Sequence, residues 1–286
     1  MATLESPATP VSLAATVPLA DAVACPSCGT ALAGEYCHAC GERRHSDDRF
    51  SLRHFLADAW EDVFDLDSRA LRSLRVLVVQ PGVLTLEALR GRRRPYVGAL
   101  RMYIVVFAVT LFLTTLLPTT QDGKSADRIT AMFKQMVHAL AVHRGMTDEA
   151  AHQALVQASA QHVSWLSVLI PVLFAGFLYA IFRRRRPWYG QHLVLATHFA
   201  TINFLAALVL LPVQLLAHST VIAIVSACAV IPIFAWLMVA VRRVYASGWY
   251  GAAGWTLLLL FLFSICQSIA GLLALGTAAA SVYYGG

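Results

Sequence analysis

Charge is scarce in this chain, and the scarcity is selective. Asp, Glu, Lys and Arg make up 13% of the 286 residues, and the long apolar stretches carry almost no carboxylates. That argues against an ion-coupled pump and against acid–base catalysis inside a membrane, since both commonly rely on intramembrane ionisable groups. No phosphate loop, nucleotide fingerprint, HExxH metal motif or nucleophile constellation occurs. Residues 1–24 hold no Lys or Arg, and Asp21 interrupts their only weakly apolar stretch, so no cleaved signal is expected. Their Ala, Pro, Thr and Ser content predicts a disordered tail.

Apolar residues are abundant, at 58% of the chain, an excess that points to several membrane spans. Five stretches are long enough for a bilayer core of about 20 helical residues: 100–118, 164–182, 192–217, 219–241 and 253–279. The net charge of +6 is concentrated beside them. Arg90, Arg92, Arg93, Arg94 and Arg101 flank the first stretch, Arg183 to Arg186 follow the second, and Arg242-Arg243 follow the fourth. In a five-span chain all three clusters fall on one side, which places the N-terminus in the cytoplasm and the C-terminus outside. Orientation and contact with anionic lipid account for the arginines, so the expected partner is the bilayer and nucleic acid is not expected.

The sharpest local signal is Cys25-Pro26-Ser27-Cys28-Gly29 followed by Cys37-His38-Ala39-Cys40-Gly41. Two-residue spacing with a glycine after each pair turns backbone N–H groups toward the sulfurs, so Cys25, Cys28, Cys37 and Cys40 are predicted to hold a structural zinc ion. Disulfides are the competing outcome. A cytoplasmic location keeps the thiols free for metal, and four thiolates leave no open position for substrate. A ribbon of some 20 residues cannot bury a core, so metal binding supplies its folding free energy. His38 is expected to be an exposed spacer.

Between ribbon and spans the pattern predicts three helices. The first starts at Ser51 with Leu52, Phe55, Leu56, Ala59, Val63 and Phe64 on one face, and Arg53, Asp58, Glu61 and Asp62 mostly on the other. The second runs Ser68 to Val79 and stops before Pro81-Gly82, and the third runs Val83 to Leu89. The loop from Pro118 to Val163 predicts an amphipathic hairpin: a helix over Asp127 to His143, an end at Gly145, and a second helix capped by Thr147. His138, His143, His152 and His162 fall in or beside it without a tight HxxxH pair, and read as solvated loop histidines.

On the third span His192, Asn203 and Gln214 recur every eleven residues and form one stripe, with Gln191, His198 and Thr201 on a neighbouring stripe. These residues make interhelical hydrogen bonds or, on the alternative reading, line a solute path. Pro171, Pro212 and Pro232 can kink their helices, Ala270, Ala274 and Ala278 offer a small-residue packing face, and Cys228 and Cys266 are apolar fillers.

The CxxCG pair, Phe64-Asp65-Leu66-Asp67, Gln80-Pro81-Gly82 and Gly91-Arg92-Arg93-Arg94-Pro95-Tyr96-Val97 together resemble domain of unknown function family 3667. The resemblance covers roughly residues 25–105 and implies a bacterial membrane protein without an assigned reaction. Family members carry a Tyr-Val-Pro stretch where this chain has Pro95 before Tyr96 and Gly98-Ala99 after Val97. Trp188 to Val194 and Thr197-His198-Phe199 are similar too, but Gln191 and Ala200 stand where relatives have Glu and a second His.

The chain thus reads as an all-α polytopic membrane protein, five transmembrane helices preceded by a small zinc ribbon and amphipathic juxtamembrane helices. Its parts are a tail at 1–24, a ribbon at 25–44, a cytoplasmic helical region at 45–98, and a membrane domain at 99–286 with an outer helical loop near 119–163. The leading functional expectation is a non-enzymatic inner-membrane scaffold or regulator whose ribbon contacts a cytoplasmic protein. A small-solute or lipid transporter using the third span is the alternative, and a lipid-acting enzyme at Asp65 and Asp67 the third.

Overall fold

The computed structural model describes residues 24–32, 34–41, 68–92, 95–117, 127–216 and 219–284. The helix expected from Ser51 to Phe64, the acidic residues Asp58, Glu61, Asp62, Asp65 and Asp67, Arg93-Arg94 and the tail up to residue 23 lie outside them. The chain divides into two compact units, Met1–His45 and Ser46–Gly286. Among the described residues regular structure is entirely α-helical, with no strand beyond an isolated antiparallel bridge between Ala24 and Ala31 in the first unit.

The second unit holds α1 (Ser68–Val79), α2 (Val83–Leu89), α3 (Ala99–Leu116), α4 (Asp127–Arg144), α5 (Asp148–Ser167), α6 (Ile170–Phe182), α7 (Tyr189–Leu216), α8 (Ser219–Tyr245) and α9 (Trp249–Tyr284). Three of these, α7, α8 and α9, are long and apolar enough to cross a membrane. The remaining two expected spans are apolar but shorter: α3 has 18 residues and α6 has 13. The stretch expected to run unbroken over 164–182 is divided at Val168-Leu169 because Pro171 stands in the first turn of α6. Proline has no N–H for the carbonyl four residues back, that of Ser167, and its ring crowds that carbonyl. The buried Tyr103 of α3 fills the gap, its hydroxyl donating to the Ser167 carbonyl at 2.9 Å. Pro212 and Pro232, by contrast, lie inside continuous helices.

At the centre is α7. Every residue from His192 to Ile202 is buried, because α1, α2, α3, α6 and α8 surround this half of the helix. Phe199 anchors the main core, with Trp236 of α8 stacked on it, Phe263 of α9 edge-on and Phe174 of α6 tilted against it. Helix α9, about 54 Å long by its 36 residues, outruns a hydrocarbon core of about 30 Å. Its far end packs on the α4–α5 hairpin in a second core of Val137, Leu140, Ala141, Ala151, Leu155 and Ala278. The turn of that hairpin begins at Gly145, and the Thr147 hydroxyl caps α5 by accepting from the Ala150 N–H at 3.2 Å.

The α1–α2 pair is wedged against α7 and α8. Leu77 lies in the last turn of α1, where a carbonyl has no helical partner, and Trp236 Nε1 donates to it at 2.8 Å. Trp236 stands nine residues before the end of α8, so this contact lies about 13 Å in from the helix end. The connecting turn depends on Gly82, whose φ of +79° is in the left-handed region. A Cβ at this position would meet the Ala240 Cα at 3.0 Å. Gly82→Ala is therefore expected to destabilise the protein by about 1–3 kcal/mol, from backbone strain and overpacking together. Thermal unfolding in detergent should show a clear drop in melting temperature. An unchanged value would mean that the α1–α2 turn does not press on α8.

Candidate metal centre and buried polar contacts

In the first unit both CxxCG segments fold into the same turn. The Gly29 N–H donates to the Cys25 carbonyl at 2.9 Å and the Gly41 N–H to the Cys37 carbonyl at 2.7 Å, with both glycines at positive φ. This brings the four sulfurs together: their Sγ atoms all lie within 4.8 Å of one another, with Cys25–Cys40 and Cys28–Cys37 each at 3.5 Å. A disulfide would need about 2.05 Å, and none of the four cysteines is disulfide-bonded. Tetrahedral coordination with metal–sulfur bonds of about 2.3 Å places sulfurs about 3.8 Å apart, so the four cysteines are close enough to bind one metal ion. A four-sulfur tetrahedral donor set suits zinc or iron. His38 is exposed and outside the cluster.

The cluster is graded from inside to outside. Cys25 and Cys37 are buried against Leu32, Cys40 is half-buried, and Cys28 is exposed. Thr30 compensates at the exposed position. Its hydroxyl lies 3.3 Å from Cys28 Sγ, and hydrogen bonds from its side chain and backbone hold the Cys28 thiol well below the ordinary range, at about 6. Metal binding requires thiolates, so a depressed thiol favours the bound state above that pH and loses the advantage as pH falls through it. Sequence spacing alone picks out the four cysteines that come together but not this neighbour, which only the folded turn brings to the sulfur.

In the second unit the third-span polar residues separate into distinct roles. His192 is fully buried, with Nε2 at 3.0 Å from the Arg186 carbonyl and Nδ1 at 2.8 Å from the Tyr245 hydroxyl. A carbonyl only accepts, so Nε2 carries the proton, and in the neutral ring Nδ1 accepts from Tyr245. His198 is also buried, joined through Nδ1 to Thr85 Oγ1 at 2.8 Å, which ties α2 to α7. Its Nε2 and the Oε1 of Gln191 are buried with no hydrogen-bond partner among the described residues. Asn203 donates from Nδ2 back to the Phe199 carbonyl of its own helix at 2.8 Å, and Gln214 is half-buried two residues before the end of α7. The periodic stripe therefore joins residues with different neighbours. Sequence reasoning passes over Thr85 and Tyr245, partners that lie 113 and 53 residues from the histidines they meet.

The four histidines of the 138–162 region do not converge. His138 faces Asp148 at 3.2 Å on an exposed surface, His143 stacks on Tyr283 at 3.8 Å, and His152 stands edge-on to Phe133. Among the described residues, the four cysteines form the one group of three or more His, Cys, Asp and Glu whose ligand atoms come together.

Thr30→Val is expected to weaken metal affinity about tenfold, the usual effect of losing a partner that steadies a ligand. It should also move acid-driven metal release to higher pH, because protons displace metal more readily from a more basic thiolate. A chromogenic chelator followed across a pH titration reads both effects, and coincident wild-type and variant curves would contradict this role for Thr30.

No curated protein and no solved structure matches the chain. One family model does, over α1, α2 and most of α3 but not over the cysteine ribbon: residues 67–111 match the family described as a protein of unknown function (DUF3667).

Proposed function

We propose that this protein is a non-enzymatic membrane scaffold or regulator whose zinc ribbon is presented in the cytoplasm to a protein partner. On this reading α3, and α6 together with the last turn of α5, join α7, α8 and α9 as spans, making five. The N-terminus lies in the cytoplasm of a bacterial cell, the inner membrane holds the bundle, and the C-terminus lies outside. Support for the orientation comes from Arg183–Arg186 and Arg242-Arg243, which share one end of the bundle. Support for zinc comes from the sulfur spacing and from a reducing compartment that keeps thiols free.

The observation that carries the proposal is a four-sulfur cluster with no open coordination position beside an exposed aromatic side chain. Tyr36, 60% exposed, stands next to the buried ligand Cys37. Aromatic side chains on a rigid support are favoured anchors for protein contacts, and zinc supplies the rigidity that a ribbon this small cannot supply through a core. Cys37→Ser is expected to lose zinc and partner together. Tyr36→Ala should retain about one zinc and lose the partner, as read by metal analysis and crosslinking of the full-length protein in its native membrane. Partner capture that survives both substitutions would refute the proposal.

A second reading rests on His198 Nε2 and Gln191 Oε1, one buried in the bundle and one at the start of α7, neither with a hydrogen-bond partner among the described residues. If α7 lines a path for a small solute or lipid, His198→Ala and Asn203→Ala should each abolish transport into cells without lowering expression. Transport unaffected by either removes that reading.

A further inference from the structure

Two arginine clusters, Arg183 to Arg186 and Arg242-Arg243, stand about 60 residues apart in sequence, and the fold brings the turns that carry them together. Arg185 Nη1 donates to the Tyr245 carbonyl and, at 3.1 Å, to Ser247 Oγ; Arg186 Nη2 donates to the Val244 carbonyl at 3.3 Å. These bonds clamp the turn after α6 onto the turn between α8 and α9. Arg243 reaches the Pro81 carbonyl at 2.9 Å, and the Arg242 guanidinium lies over the Trp249 ring at 4.0 Å. Arg183 and Arg184 are exposed and have no such partner among the described residues.

Neither turn brings an acidic partner of its own, since residues 150–286 contain neither Asp nor Glu, and none of the six arginines forms an ion pair among the described residues. Carbonyl dipoles take up part of the donor capacity, but they carry no net charge. Six like charges held in two abutting turns repel one another unless an anion sits among them. The surroundings specify which anion. Trp188, Trp249 and Tyr250 project from the same turns, Tyr250 with 97% of its surface exposed, and Trp and Tyr favour the headgroup level of a bilayer. Below them Leu257 and Phe261 are exposed on the same face of α9 as Tyr250, at spacings of seven and eleven residues. A phosphate at the arginines and an acyl chain along Leu257 and Phe261 would continue into each other.

We propose that the joined turns 183–188 and 242–250 form a headgroup site for an anionic phospholipid, with Arg183, Arg184 and Arg242 on the phosphate and the Tyr250–Leu257–Phe261 face along an acyl chain. The site requires the chain to lie in a bilayer and is independent of the ribbon. Arg185 and Arg186 are positioning residues in this arrangement, because their donors hold the two turns together.

Native mass spectrometry of the full-length protein in detergent tests the site, with phosphatidylglycerol and phosphatidylcholine of identical acyl chains as the probes. Phosphatidylglycerol should be retained in preference, and Arg183→Gln/Arg184→Gln should weaken it by about thirtyfold, roughly fivefold per arginine, at an unchanged melting temperature of the lipid-free protein. Inorganic phosphate at matching concentration should not displace the lipid. Equal retention of the two lipids, a double variant with undiminished preference, displacement by inorganic phosphate, or displacement by a short polyuridylate would each overturn the assignment.

Discussion

A helix that ends inside an apolar bundle leaves carbonyls that no water can reach, and in this protein other parts of the chain supply the missing donors. Tyr103 gives its hydroxyl to Ser167, whose usual partner is removed by Pro171. Trp236 gives its indole N–H to the buried Leu77 carbonyl, and at the more exposed ends of α6 and α8 Arg185 and Arg186 donate to the Tyr245 and Val244 carbonyls and Arg243 to that of Pro81. Each bond runs between elements distant in sequence. The same contacts that satisfy helix ends therefore decide which helices are neighbours, and an assembly with few charges is held in register by side-chain donors aimed at backbone oxygen.

This constraint gives the arginines a second role. Their number beside apolar stretches is a topology signal, but three of the six at the α6 and α8 ends also donate to carbonyls, and a fourth lies on an indole. Arg183 and Arg184, which have no such partner among the described residues, are exposed. Arg101, grouped with the flanking arginines on sequence grounds, is buried at the start of α3.

Features set by near neighbours are legible in the amino-acid sequence. Ser68–Val79 and Val83–Leu89 can be read because apolar spacing and the Pro81-Gly82 break are encoded within a few residues, and Thr147 can be assigned as a cap for the same reason. The four-cysteine cluster is legible because two knuckles of fixed spacing specify their own geometry. Long-range partners are not: nothing near His198 announces Thr85, and nothing near Ser167 announces Tyr103. The division of the 164–182 stretch follows from Pro171, but whether a proline bends or ends a helix depends on what lies beside it. Pro232 stays within α8, whereas Pro171 opens α6 where a tyrosine hydroxyl can donate to the freed carbonyl.

If side-chain donation to stranded carbonyls is what holds the bundle, the Tyr103 hydroxyl should matter only while Pro171 is present. A double-mutant cycle of Tyr103→Phe and Pro171→Ala, followed by equilibrium unfolding in detergent, measures this directly. Tyr103→Phe should lower stability by about 1–3 kcal/mol in the parent protein, where the Ser167 carbonyl is left buried and unpaired. It should have little effect in the Pro171→Ala background, where the new N–H at position 171 takes that carbonyl. An equal loss in both backgrounds, or no loss in either, would contradict the account.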